Sequence, residues 1–357
     1  MLFYLTKRIL LIFPTLFLIM LVNFFIIQTA PGGPVEQLLA KLNGSNHAAS
    51  ETASIDIATQ NNTAVADAKY RDTKGVDPEI IKKIEQLYGF DIPLWKRFFV
   101  MIKKFLFFDF GNSFYQDKKV VDLVLEKLPT SISLGLWTTL LIYLISIPLG
   151  IKKAINNGSK FDFWSSVIVS IGHAIPSFLF AILLIVLFAG GNFFNIFPLR
   201  GLVSEEFSQM LWWQKILDYF WHLALPITAM VIGGFASLTF FCKNSFLEEI
   251  NKQYTLTAQA KGLNKKQVLY NHIFRNAMMI VIAGIPAAFV GILFTGSMLI
   301  EIIFSLDGLG LMGYEAAISR DYPVMFGTLY CFTLIGLLVN IISDITYKIV
   351  DPRINFN

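Results

Sequence analysis

Few residues in this chain have the types and spacing that bond-making chemistry requires. No G-x-x-x-x-G-K-[ST] loop is present to cradle phosphates, so the chain itself is not expected to hydrolyse ATP. The histidines and cysteines do not fall at metal-ligand spacing. Cys242 and Cys331 lie in or at the ends of apolar runs and imply neither a disulfide framework nor a metal site. No nucleophile–base pair stands out inside those runs, whose acidic residues are Glu301 and Asp344, both near run ends. A charge at mid-membrane costs roughly 2.5–3.5 kcal/mol on the insertion scale. The scarcity of such charges argues against a proton relay.

The chemistry that remains is recognition, and it concentrates between Asn244 and Ala277. Ser245 followed by Glu248 is a capping-box pattern, which predicts a helix start. Phe246, Leu247, Ile250 and Tyr254 then recur at helical spacing. Gly262 falls where that helix should end, since glycine takes the left-handed cap conformation without steric cost. Asn264 can cap a second helix carrying Val268, Leu269, Ile273 and Phe274. Two short helices hinged at a glycine, with an apolar stripe and many lysines, suit docking against another protein. A basic cytoplasmic loop with a glycine turn is the plainer alternative.

Membrane spans must position this segment. The chain has 357 residues, 55% of them hydrophobic, with a mean hydropathy of +0.60, and reads as a polytopic membrane protein. Six spans of about 20 apolar residues each are expected at 9–30, 132–151, 163–190, 223–242, 277–301 and 324–349. Prolines 14, 148, 176, 226 and 286 lie inside them, which neighbouring helices can accommodate. Orientation follows from basic residues in short loops. Lys7, Arg8, Lys152, Lys153, Lys160, the basic residues of 244–276, Lys348 and Arg353 share one side, against Arg200, Lys215 and Arg320 on the other. Both termini and 244–276 are therefore expected in the cytoplasm.

Three regions follow: 1–30, the N-terminus and first span; 31–131, a large helical external insertion; and 132–357, five spans with the 244–276 segment. The first 30 residues read as an uncleaved span rather than a signal peptide, because the apolar run is about twice an h-region. Residues 43–66, rich in Asn, Ser, Thr and Ala, predict disorder. Asp77-Pro78 should open one helix, stopped at Gly89. Pro93 to about Phe108 should form a second, amphipathic one, with Trp95, Phe98, Phe99, Ile102 and Phe105 among lysines. A third short helix is expected before Leu128-Pro129. This region reads either as a platform for a substrate-delivering protein or as a lid packed on the outer membrane face. Within the third span, His173 and Pro176 read as a packing histidine and a proline break, with a substrate contact as the alternative. Gly284, Pro286, Gly291 and Gly296 allow close helix approach in the fifth. The aromatic loop 191–222 fits an interfacial belt.

The 244–277 pattern resembles the cytoplasmic coupling segment of ATP-binding-cassette importer permeases. Ala258, Gly262, His272 and Phe274 carry the likeness. Leu256 stands where a glutamate is usual, and Arg275-Asn276 near the usual proline. Those departures are typical of the peptide-importer branch, as are Lys7-Arg8, Pro14-Thr15, Asn23-Phe24 and Ala30–Pro34. Phe304–Gly310 and Arg320-Asp321-Tyr322-Pro323 resemble external elements of peptide and nickel importer permeases, with Asp307 where proline is common. Asp351-Pro352-Arg353 matches the usual end. Within the branch the chain is most similar to Yej-type B permeases, on Ala30–Val35, Leu134–Trp137, Pro198–Val203 and Gly313–Ala316.

The resemblance implies an all-α type I importer permease fold with six spans in a bacterial inner membrane, and no enzymatic activity in this chain. It implies a second homologous permease, a cytoplasmic ATPase of one fused chain or two, which would hold ATP and Mg, and a periplasmic peptide-binding protein. No cofactor of its own and no nucleic-acid partner are expected. Tyr254, Thr257, Ala258, Ala260, Lys261, Gly262, His272, Phe274, Arg275 and Asn276 would couple to the ATPase. Glu301, Gly308, Gly310, Arg320, Asp321, Tyr322 and Pro323 would form an external gate or loop. The cargo implied is oligopeptides, including microcin C-like conjugates. Dipeptide or nickel-chelate import is an alternative, and ion-coupled transport a more distant one.

Overall fold

A computed structural model describes residues 2–29, 92–190, 193–291 and 298–350. The expected helix at 77–89, the polar stretch 43–66 and the Asp351-Pro352-Arg353 end lie outside them. The described residues are helical apart from turns and the irregular stretches 107–119, with an isolated bridge between Asn112 and Lys119, and 193–211, with a 3-10 turn at Phe207–Gln209. In chain order they form α1 (Leu2–Thr29), α2 (Leu94–Leu106), α3 (Val120–Ile155), α4 (Lys160–Ala174), α5 (Ser177–Phe188) and α6 (Trp212–Ile250). Then come α7 (Gln253–Ala260), α8 (Lys265–Val268), α9 (Phe274–Ala283), α10 (Ile285–Gly291), α11 (Met298–Ile303), α12 (Leu309–Ser319) and α13 (Tyr322–Val350).

Helices α1, α3, α6 and α13 are each long and apolar enough to cross a membrane. The α4–α5 pair passes the same test together but is bent by 90°. Pro176 explains the bend: it has no N–H to donate, and Ile175 before it is forced to extended backbone. His173 beside this break places Nδ1 3.1 Å from the Gly233 carbonyl oxygen, so it is hydrogen-bonded as expected, but the side chain is exposed in this chain and not packed in its core. The remaining expected span, 277–301, is seen as α9, α10 and α11, and residues 292–297 between them are outside the description.

Two expectations need correction. No separate short helix precedes Leu128-Pro129; α3 runs unbroken from Val120 through Pro129 and Pro148. Its 36 residues reach about 54 Å at 1.5 Å per residue, so it extends well beyond a 30 Å hydrocarbon core. Nor does a helix begin at Ser245, because α6 continues through it to Ile250. The Ser245 hydroxyl instead donates to the Ala277 carbonyl at 2.8 Å, joining α6 to α9.

The chain divides into two compact units. The larger comprises residues 1–12, 122–315 and 331–357. Within it α6 packs against α4, α5 and α9. Helices α3 and α6 approach so closely that a Cβ at Gly150 would lie 2.8 Å from Cys242 Cβ, and one at Gly234 2.5 Å from Ile142 Cδ1. Small residues at these crossings let the backbones touch, and the Ser146 hydroxyl uses the closeness to donate to the Phe235 carbonyl at 2.8 Å. The smaller unit comprises residues 13–121 and 316–330. Its α2 follows Pro93 as the pattern predicts. Phe98 meets Phe17 and Phe24, and Phe105 meets Phe110 and Tyr330, with ring centroids 4.9–5.8 Å apart.

Candidate coupling segment and buried-carboxylate loops

The 251–276 segment is an elbow, two short helical pieces and a return. At the elbow between α6 and α7, Glu249 accepts hydrogen bonds from the Lys252 ammonium and, at 2.6 Å, from the Tyr254 hydroxyl. Burial pulls the Glu249 carboxyl up, but the bonds from Lys252 and Tyr254 outweigh it and hold the group below the usual carboxylate range. The Tyr254 phenol is pushed above its usual range by burial and by the neighbouring carboxylate. The Asn276 amide donates to the same Tyr254 hydroxyl at 3.5 Å, linking the start of the segment to its return. The anchoring carboxylate is Glu249, one residue beyond the Glu248 of the sequence pattern.

Helix α7 ends as expected. Gly262 has φ +86°, and its N–H donates to the Gln259 carbonyl at 2.9 Å. Only a residue without a Cβ adopts that angle freely. Asn264 then caps α8 reciprocally: its Oδ1 accepts from the Gln267 N–H at 2.8 Å, and Gln267 Oε1 accepts from the Asn264 N–H at 3.0 Å. A π-helical turn, Leu269–Ile273, joins α8 to α9. The apolar stripe does not await a partner. Phe246, Ala258, Val268, Leu269, Ile273 and Ala277 are buried with Cys242 and Ala154 in one core of this chain. What faces outward is the other side: Leu256, Thr257, Ala260, Lys261, Gly262, Tyr270, His272 and Arg275, with Leu256 and Tyr270 64% and 63% exposed. Phe274 and Asn276 are half-buried.

On α11 the Glu301 side chain is fully buried. Its Oε1 accepts from the Ser131 hydroxyl at 3.1 Å, and its Oε2 from the Leu311 N–H at 2.8 Å. Ser131 in turn accepts from the Leu309 N–H at 2.8 Å. The G-L-G turn is folded around this carboxylate: a Cβ at Gly308 would lie 2.5 Å from Glu301 Cδ, and one at Gly310 3.0 Å from Oε2. Burying a charge is costly unless it is hydrogen-bonded, and here the loop backbone and one serine supply the bonds. The glycines are therefore where they are because a carboxylate occupies the space of their side chains.

Arg320, Asp321, Tyr322 and Pro323 belong to the other unit. Arg320 ends α12 at φ +55°, and Asp321, 3% exposed, accepts from the Ser113 hydroxyl at 2.5 Å and the Phe114 N–H at 3.2 Å. The Tyr115 hydroxyl donates to the Ser319 carbonyl at 2.7 Å. Tyr322-Pro323 opens α13, where a proline's missing donor costs nothing. This aspartate ties the turn after α2 to the start of α13.

Sequence reading missed one cluster altogether. Lys153, fully buried, donates to the Asp162 carbonyl, Ser165 and Ser166 at 3.0, 2.9 and 2.6 Å, and pairs with the Asp162 carboxylate at 3.1 Å. Lys243 of α6 grips both oxygens of the same carboxylate at 2.9 and 2.8 Å. The cluster joins α3, α4 and α6. A signal existed: Ser159 followed three residues on by Asp162, ahead of an apolar run, is a capping pattern, and the Asp162 N–H does donate to Ser159 at 3.2 Å. Among the described residues no group of histidine, cysteine and acidic side chains could hold a metal ion.

A model of the family described as "Binding-protein-dependent transport system inner membrane component" matches residues 146–356. Along its full length the chain is 57% identical to the "Inner membrane ABC transporter permease protein YejB" of Escherichia coli O157:H7, covering 99% of this chain and 98% of that protein. It is 55% identical to the "Peptidoglycan transport system permease protein YejB" of Agrobacterium fabrum, with the same coverage. Identity to the oligopeptide transport system permease protein OppB of Haemophilus influenzae is 29%, over 100% of both chains. Among solved structures, the MetNI methionine ABC transporter in inward-facing form aligns with a TM-score of 0.51 at 16% identity, over 64% of this chain and 97% of that one. The likeness is one of fold.

Proposed function

Because this chain belongs to the binding-protein-dependent transport system inner membrane component family, we propose that it is the B-type permease of an ATP-driven oligopeptide importer. It is a multi-pass permease subunit of an ABC import system. In the proposed assembly it encloses a pathway with a second, homologous permease. A periplasmic peptide-binding protein delivers cargo, and a cytoplasmic ATPase, one fused chain or two, holds the ATP and Mg. This chain binds no cofactor of its own, and both of its termini face the cytoplasm.

The observation that carries this reading is the two-sided build of the 251–276 segment. One side is locked into the chain's own core, and the other presents Leu256, Lys261, Tyr270, His272 and Arg275 uncovered. A short helix held that way moves with its membrane helices as one body, which suits transmission of ATPase motion better than a flexible tether. Glu301 with Gly308 and Gly310, and Asp321 with its neighbours, are proposed to hold the periplasmic loops of the pathway in shape.

The name of the Haemophilus influenzae relative favours oligopeptides as cargo, and the Agrobacterium relative's name favours a second reading, peptidoglycan fragments. Uptake of labelled linear oligopeptides, a microcin C-like conjugate and peptidoglycan-derived peptides, in cells with and without this gene, separates them. Uptake of linear peptides that vanishes with the gene and with ATP depletion supports the first reading. Loss confined to peptidoglycan fragments moves the cargo to the second, and unchanged uptake of all three overturns both.

A further inference from the structure

Helix α2 has three faces where a soluble helix has two. Its sequence, LWKRFFVMIKKFL, contains four basic residues and no acidic one. At 100° per residue, Phe98 and Phe105 fall on one side, and both are buried against aromatic rings. A second side carries Trp95, Phe99, Ile102 and Leu106, spaced i, i+4, i+7, i+11. Trp95, Phe99 and Leu106 are 62%, 57% and 52% exposed. The third side carries Lys96, Arg97, Lys103 and Lys104. Three large apolar side chains more than half exposed in one stripe would be a liability against water.

Two observations say what covers that stripe. The first is where the buried side docks. Phe98 meets Phe17 and Phe24 at 5.4 and 5.3 Å, and both belong to the apolar span Tyr4–Ile26. A helix seated on the C-terminal half of a membrane span lies at the level of the bilayer, so its neighbouring apolar face meets acyl chains. The second is charge. Lysines flanking an apolar stripe that contains tryptophan make the arrangement of a helix lying in the interfacial plane, cations among headgroups and rings below them.

We propose that α2 is an interfacial anchor that binds anionic phospholipid, with Lys96, Lys103 and Lys104 on lipid phosphates and Trp95, Phe99 and Leu106 at the acyl boundary. The helix fixes the height of the connection between the first and second spans. Which leaflet it occupies rests on the orientation proposed above and would be the periplasmic one; the lipid contact itself does not depend on it.

The test uses the full-length chain, purified with its co-assembling subunits and reconstituted into symmetric vesicles. The lipids are phosphatidylcholine with either phosphatidylcholine or phosphatidylglycerol carrying brominated chains. The part of the fluorescence quenching due to Trp95 is obtained by difference from Trp95→Phe. Quenching of Trp95 by both lipids, several-fold stronger with the brominated phosphatidylglycerol, is the expected result. The triple variant Lys96→Gln, Lys103→Gln, Lys104→Gln should keep the quenching and lose that several-fold preference. Trp95 quenched by neither lipid would show that the stripe faces a protein instead, and would overturn the proposal. Equal quenching by the two lipids in the unaltered chain would overturn the anionic site. Symmetric vesicles make these outcomes independent of orientation and of cargo.

Discussion

The contrast between two glycines shows how one residue type serves different physics in this chain. Gly262 has φ +86° and open space where a Cβ would stand, whereas Gly308 has Glu301 Cδ 2.5 Å from that position. A side chain at 262 meets a backbone penalty of about 1–2 kcal/mol, and one at 308 meets a buried carboxylate that its own bonds hold in place. Gly308→Ala should therefore destabilise the detergent-solubilised protein by about 1–3 kcal/mol through overpacking. Gly262→Asn, which tolerates the left-handed region, should cost little. Melting temperatures of the two variants check this. A Gly308→Ala protein that melts like the parent would mean the turn and the carboxylate are not in fact in contact. The glycine cap was legible in the sequence because a left-handed turn is a local event. The Glu301 clamp was not, because Ser131 lies 170 residues away along the chain.

Among the elements, the junctions hold more than the helices themselves. Lys153 and Lys243 share the one Asp162 carboxylate. Asp162→Asn would leave a fully buried ammonium facing a neutral amide, a loss on the order of 3 kcal/mol. Lys243→Met leaves the Asp162–Lys153 pair intact and should cost less. The reverse order in thermal unfolding would sink this account of the cluster. The elbow at Glu249 makes a second expectation, in pH. A carboxyl held below its usual range contributes stability that is present above that range and is lost as pH falls through the lower folded value. Amide exchange across 251–260, corrected for intrinsic rates, should therefore accelerate in acid in the parent, and Glu249→Gln should abolish that dependence. The same elbow shows why a capping signal misled. Ser245 and Glu248 satisfy the local pattern of a helix start, but α6 is already helical when it reaches them, and Ser245 spends its hydroxyl on Ala277 of a different helix. Local sequence marks where a helix is able to begin, while packing decides whether the preceding one has ended.

At the scale of the whole molecule, apolar patterning located the long helices, because about 20 apolar residues in a row have few alternatives. It assigned the 244–276 stripe to the wrong neighbour. Periodicity states that a face is apolar and is silent on whether the cover is another protein or the same chain; Phe246, Val268 and Ile273 are covered by the chain's own core. The proposed ATPase contact would then use the opposite side, and that distinction can be measured. Phe246→Ala removes a fully buried ring and should cost about 3–5 kcal/mol, lowering stability and transport together. Leu256→Asp combined with Tyr270→Ala alters two side chains that are nearly two-thirds exposed, so stability and membrane level should stay at parental values. If this side is where the ATPase docks, ATP-driven uptake should nevertheless fall at least tenfold, a loss of about 1.4 kcal/mol or more in coupling. Parental uptake by the double variant would remove the outward side from the coupling surface, whereas a melting temperature as low as that of Phe246→Ala would show that these two side chains pack rather than dock.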